Sequence, residues 1–230
     1  MAMSDIPNKA ALDYFNDRAD ALAAQYNALD RAKVHADLLE NMPAGEALQV
    51  LDIGAGSGAD AALFARLGHH VVAAEPADKL RALGEKIFDD NRIEWNADVL
   101  PELQMSSLRA PFDIITATGV LQYMDEEARA KSLKKIFSLV APGGIVEIQY
   151  PTPSSREHQF TIRPDEMRDI VRAYNEASPA NPQFDVIIDK SVPDHTGRKA
   201  LDGSDLFFKT MLLRRIRQPQ NNSQIQQHGC

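Results

Sequence analysis

At 230 residues, 44% hydrophobic and 25% charged, the chain has the composition of a soluble globular protein with material for one full core rather than two. A formal net charge of −8 weighs against nucleic acid as a partner, because nonspecific affinity for a phosphate backbone comes mainly from cationic side chains. The single cysteine, Cys230, excludes an intrachain disulfide, a cysteine metal cluster and a mid-chain thiol nucleophile, and no metal site is expected.

Residues 8–40 read as helices ahead of the first strand. Ala10, Leu12, Tyr14, Phe15, Ala19, Leu22, Ala23 and Tyr26 recur at three- and four-residue intervals. Asp30 suits the cap of a second helix carrying Val34, Leu38 and Leu39, which stops before Pro43. Residues 1–44 therefore form a helical cap, 45–216 the main domain, and the Gln/Asn-rich stretch 217–230 an expected disordered tail.

Val50-Leu51-Asp52-Ile53 reads as a short strand, Gly54, Gly56 and Gly58 as a tight turn, and the alanines from Ala59 as the opening of a helix. Glycine permits φ > 0 and leaves main-chain N–H groups open to a ligand, so the pattern predicts a nucleotide-type site at the carboxyl end of the first strand. Gly54, Gly56 and Ala59 fit G-x-G-x-x-G/A, the dinucleotide pattern, while Asp52 and Gly58 complete a second one, D-x-G-x-G-x-G. The glycine spacing alone leaves a nicotinamide or flavin cofactor open. The helix ends at Gly68, and a strand over 71–74 runs into Glu75-Pro76. A carboxylate there, roughly twenty residues past the glycines, can accept both hydroxyls of a ribose.

Residues 79–88 form a helix and 93–96 a short strand, whose Trp95 is expected to pack rather than to stack on a base. Asp98 and Val99 follow. Phe112-Asp113 enters a strand over 114–118, and a polar-aromatic loop brings Gln122 and Tyr123. Asp125 caps the next helix, with Glu126 and Glu127 in its first turn, and Ala141-Pro142-Gly143-Gly144 stops it before a strand over 145–150. The polar loop 151–160, with Arg156 and His158, is expected to border a substrate pocket. A helix from Pro164 to Tyr174 precedes an antiparallel pair over 183–188 and 206–213, joined by a loop holding Asp194, His195 and Arg198.

Three of these stretches carry a resemblance: the D-x-G-x-G-x-G turn at Asp52 to Gly58, the Phe112-Asp113 strand with its polar-aromatic loop, and Pro142-Gly143-Gly144 before an apolar strand. Over residues 45–150 the chain resembles the class I S-adenosylmethionine-dependent methyltransferases. The resemblance implies a Rossmann-like, doubly wound α/β fold, with a seven-stranded, mostly parallel sheet, an antiparallel last strand and an N-terminal helical lid. It implies S-adenosyl-L-methionine as cofactor. Asp52 would sit under the methionyl end, with Gly54, Ala55, Gly56 and Gly58 as the turn. Glu75 and Pro76 would meet the ribose, and Thr116 marks the strand whose carbonyls take the ammonium. Asp98 and the Val99 N–H would meet the adenine, as matched acceptor and donor. Tyr14 and Tyr26 of the lid would cover the methionyl end.

The activity implied is methyl transfer to a small-molecule acceptor, driven by alignment and removal of water. Where the accepting atom must lose a proton, His158, His195 and Tyr123 are the candidate bases. An NAD(P)-dependent oxidoreductase also accounts for the turn and Glu75, but not for Asp52, Gly58, Asp98 or the Pro-Gly-Gly strand. A cofactor-binding protein without turnover is the third reading. The N-terminus lacks a basic start followed by an apolar core, and no apolar run reaches about 20 residues. The expectation is a cytoplasmic protein, monomeric or homodimeric, with no membrane partner.

Overall fold

The computed structural model describes residues 9–154, 156–177, 183–194 and 198–217. At its centre β1 (Gln49–Ile53) lies between β2 (His70–Ala74) and β4 (Phe112–Thr118), all parallel, with Leu51 opposite Val72 on one side and Ile115 on the other. β3 (Ile93–Asn96) flanks β2, and β5 (Val140–Thr152) flanks β4. β7 (Phe207–Arg215) runs antiparallel between β5 and the edge strand β6 (Phe184–Pro193). The order β3-β2-β1-β4-β5-β7-β6 is the expected doubly wound sheet with one antiparallel strand. Its direction of winding reverses between β1 and β4, where open α/β sheets bind their ligands.

Alternate residues of the strands bury on opposite faces. Val50, Val71, Ile114 and Ile145 pack against Ala61, Phe64 and Ala65 of α5 (Ala59–Arg66) and Leu38 of α4 (Ala36–Asn41). Leu51, Val72, Ile115 and Val146 pack against Leu133, Ile136 and Phe137 of α8 (Glu126–Leu139), and Met167 and Val171 of α9 (Glu166–Ala177). Asp125 caps α8 as expected, accepting the Ala128 N–H at 2.8 Å.

The cap region forms four helices instead of two: α1 (Lys9–Asp17), α2 (Ala19–Asn27), α3 (Arg31–Val34) and α4. Asp30 does cap α3, accepting the Lys33 N–H at 3.3 Å. Leu12, Leu22 and Ala23 bury against Ala77 and Leu80, which anchors α1 and α2 on α6 (Asp78–Ile87) at the carboxyl end of β2.

Two strands exceed their expected bounds. Ala141-Pro142-Gly143-Gly144 belongs to β5 as a bulge: the register passes from Phe112 opposite Val140 to Ile114 opposite Ile145, with Gly143 at φ +85. β6 continues through Asp189, Lys190 and Ser191, which pair with Met211, Thr210 and Lys209, because an edge strand accepts polar residues that a central one would not. Its extension to Pro193 takes up the first part of the connection expected after residue 188. Residues 218–230 of the expected tail lie outside the described residues. No helix among the described residues is long and apolar enough to cross a membrane.

Candidate functional site

Beyond Ile53 the backbone turns through Gly54 and Gly56 into α5. Gly54 has φ +67, and a Cβ there would stand 2.5 Å from a methyl of Val120, so only glycine lets the turn close against the loop after β4. Gly56 has φ +58 and lies under the Tyr26 ring, 3.5 Å from where its Cβ would be. The Gly54 and Ala55 N–H groups both donate to the Ala74 carbonyl, at 2.8 and 3.1 Å, which pins the turn to the tip of β2. Trp95 fills the space beside Gly58 and Gly84 and so packs, as expected.

Glu75 begins one residue past that tip and is buried. Its Oε2 accepts the Gly56 N–H at 2.8 Å and its Oε1 the Ala77 N–H at 2.7 Å. Burial pushes its carboxyl up to about 7, against the lowering effect of the Ala77 and Gly56 N–H groups and the Arg81 charge. Asp98 accepts the N–H groups of Met105, at 3.2 Å, and Ser106, at 2.6 Å, at the start of α7 (Gln104–Ser107). Both carboxylates are thus held in place by backbone donors, and their oxygens keep lone pairs for a ligand.

Asp52 and Thr116 lie below this layer, buried and off the cavity wall. The Thr116 hydroxyl donates to Asp52 Oδ1 at 2.9 Å, while Oδ2 is buried without a hydrogen-bond partner among the described residues. Burial, and then the neighbouring Asp60 charge, push the Asp52 carboxyl up to about 7. Asp60, in the first turn of α5, accepts two hydrogen bonds from the Arg31 guanidinium. His35 Nε2 lies 2.9 Å from Asp60 Oδ1, an ion-pair contact without hydrogen-bond geometry. His35 Nδ1 bonds Glu147 of β5. Gln149 Nε2 donates to Glu147 Oε1 at 3.1 Å and to the Val34 carbonyl at 3.0 Å. His35 and Glu147 are both fully buried. Burial disfavours a charged imidazole, yet Asp60 and Glu147 outweigh it and push His35 up to about 10. His35 and Arg31 hold Asp60 well below the usual carboxylate range. This chain of charges ties α3 and α4 to the sheet. Sequence reasoning missed it, because His35 and Glu147 are 112 positions apart and no local pattern couples them.

Above the turn lies a cavity of about 490 Å³. Gly54, Ala55, Gly56, Glu75, Pro76, Asp98 and Val99 form one wall, which unites most of the expected cofactor-binding set. Phe15 and Tyr26 come from the cap. Tyr123, in the 3-10 turn Leu121–Tyr123, meets Phe15 edge to face at 5.2 Å, and its hydroxyl accepts from Gln159 Nε2 at 3.2 Å. The loop after β5 reaches the cavity with Arg156 and Gln159, as expected of it. Tyr14 is not on the wall; it stands edge-on to Phe15 and 4.4 Å beneath the Arg18 guanidinium. His158 is exposed, at φ +67, and is likewise off the wall. His195 lies outside the described residues. Two cavity residues, Thr118 and Gln122, each carry a buried side-chain oxygen without a hydrogen-bond partner among the described residues.

The profile of a methyltransferase domain family matches residues 21–188. Trans-aconitate 2-methyltransferase of Azoarcus sp. is 28% identical over 125 residues, 53% of this chain and 46% of that protein. The chain thus spans about half the length of the curated relatives it matches. Among solved structures, the 1,6-didemethyltoxoflavin-N1-methyltransferase of Burkholderia thailandensis is similar, with a TM-score of 0.62 and 22% identity over 91% of this chain and 90% of that one. Phosphoethanolamine N-methyltransferase 1 of Haemonchus contortus has a TM-score of 0.69 at 15% identity, over 93% of this chain and 49% of that one.

Proposed function

The chain belongs to the methyltransferase domain family and has the class I S-adenosylmethionine-dependent fold, and from that premise we propose that it moves the methyl group of S-adenosylmethionine to a small-molecule acceptor. The observation that carries the reading is the Glu75 carboxylate, anchored by Gly56 and Ala77 N–H groups in the same cavity wall as Asp98. The residues present fit an adenosyl cofactor: a glycine turn at positive φ in the cavity wall, and two fixed carboxylates with unused lone pairs.

When bound, the cofactor supplies a methyl group activated on a sulfonium. Glu75 takes the ribose hydroxyls, Asp98 and the Val99 N–H the adenine edge, and the turn over Gly54 and Gly56, its N–H groups spent on Ala74 and Glu75, holds Glu75 in place and keeps the wall free of side chains. Arg31 keeps guanidinium donors beyond the two that Asp60 engages. Phe15 and Tyr26 exclude water, and Tyr123, braced by Phe15 and Gln159, orients the acceptor. Alignment of this kind contributes up to roughly 7–11 kcal/mol. The net charge of −8 supports a small molecule over nucleic acid, and we place the protein in the cytoplasm as a monomer or homodimer.

Calorimetry with S-adenosylmethionine, S-adenosylhomocysteine and NADH tests the reading. The two adenosyl compounds should bind and NADH should not. Glu75→Ala and Asp98→Ala should each weaken S-adenosylhomocysteine by roughly 10- to 100-fold, the loss of hydrogen bonds to a charged group. Binding of NADH alone, or unchanged affinity in both variants, overturns it.

A further inference from the structure

Five cationic side chains line the cavity: Arg31, Lys33, Arg156, Lys190 and Arg198. Four of them have a carboxylate at hand. Arg31 is paired with Asp60, Lys33 with Asp30 at 3.2 Å, Lys190 with Asp37 at 2.5 Å, and Arg198 with Asp194 at 2.8 Å. Among the described residues no carboxylate lies within ion-pair distance of Arg156. Its guanidinium is 5.7 Å from the Tyr14 ring and lies beside Tyr26 and Tyr123. The two wall carboxylates not used in ion pairs, Glu75 and Asp98, are engaged by backbone N–H groups.

A half-buried guanidinium among phenol rings has given up part of its hydration without gaining a counter-charge. Arginine differs from lysine in offering a planar fork of donors that meets a carboxylate in two parallel hydrogen bonds. Arg156 is also held in register with the acceptor-orienting tyrosine. Its backbone N–H donates to Gln159 Oε1 at 3.2 Å, and Gln159 in turn donates to Tyr123. The same cavity also offers apolar lining from Leu12, Phe15, Leu29, Val192 and Phe208.

We propose that Arg156 anchors the methyl acceptor, and that the acceptor is a small organic acid, its carboxylate on the Arg156 guanidinium and its apolar body against Phe15, Leu29 and Phe208. This rests on the methyltransferase reading and adds the substrate class to it.

The test uses the full chain saturated with S-adenosylhomocysteine. Calorimetric titrations employ aliphatic, aromatic and polycarboxylic acids, each beside its own carboxamide. Acids should bind more tightly than their amides by at least about 30-fold, the usual consequence of removing one partner from a desolvated charge pair. Arg156→Gln should abolish that preference, Arg156→Lys should restore part of it, and neither should alter S-adenosylhomocysteine affinity. In turnover, the acid-acceptor KM should rise in Arg156→Gln far more than kcat falls. Absence of any acid preference overturns the inference, as does an equal preference in Arg156→Gln. Loss of S-adenosylhomocysteine affinity in that variant would place the cation on the cofactor and overturn it too. Failure of the unaltered chain to bind S-adenosylhomocysteine removes the methyltransferase reading itself, and this inference with it.

Discussion

His35 has no exposed surface and faces Asp60 and Glu147 on opposite sides of its ring. Removing it leaves buried Glu147 without a cation and Asp60 with Arg31 alone, so His35→Ala should lower stability by about 3–5 kcal/mol, measured by urea unfolding. Its folded pKa, about 10, exceeds the free value of 6.5. The folded state therefore binds the extra proton, and the stabilisation is complete below about pH 6.5 and lost as the pH rises through about 10. The Tm gap between the unaltered chain and His35→Gln should shrink over that interval; a constant gap would contradict the protonated imidazole. Glu75 has the opposite consequence for ligand binding. Its carboxyl titrates near 7, and only the ionised form offers acceptors to both ribose hydroxyls. S-adenosylhomocysteine affinity should fall as the pH drops below about 7, and Glu75→Gln should flatten that dependence. Glu75 was legible in the sequence because its distance from the glycines is a local count. His35 was not, since its meaning comes from Glu147, a partner that only the folded sheet brings near.

Among the elements, α6 shows a helical glycine kept for packing. A Cβ on Gly84 would lie 2.3 Å from the Trp95 ring and 3.1 Å from the Ser57 backbone. Glycine costs a helix about 1 kcal/mol relative to alanine, yet Gly84→Ala should still destabilise by about 1–3 kcal/mol, because the overpacking outweighs the propensity gain. A rise in Tm would refute this. The sequence located α5, buried on almost every residue, α6, whose Leu80 meets the cap, and α8, whose apolar stripe faces the sheet. Helical periodicity failed in the cap, where Arg18 and His35 break the run without a glycine or proline to announce it. Pro142-Gly143-Gly144 read as a stop for a similar reason: the residues that break regular pairing are those that build a bulge.

For the whole molecule, the reversal of strand order between β1 and β4 decides where the cavity lies, and the cap closes it from above. Ligand energy should therefore be felt by the entire domain. At about 100 times its Kd, S-adenosylhomocysteine should add ~2.7 kcal/mol, raising Tm by roughly 5–10 °C in one cooperative transition. The parallel half of the sheet was legible from its buried apolar strands, and the antiparallel pair from its position. The reach of β6 was not, because its polar residues look like a loop until β7 is alongside.

That neighbour comes late. β7 is hydrogen-bonded to β5 on one side and β6 on the other, although both precede it in the chain. A ribosome delivers the two banks before the plank that joins them, so a nascent chain arrested ahead of residue 207 carries two unsatisfied backbone borders. Such a half-made sheet is a natural client for chaperones, and a cut at that point would leave strands ready to pair with the wrong molecule.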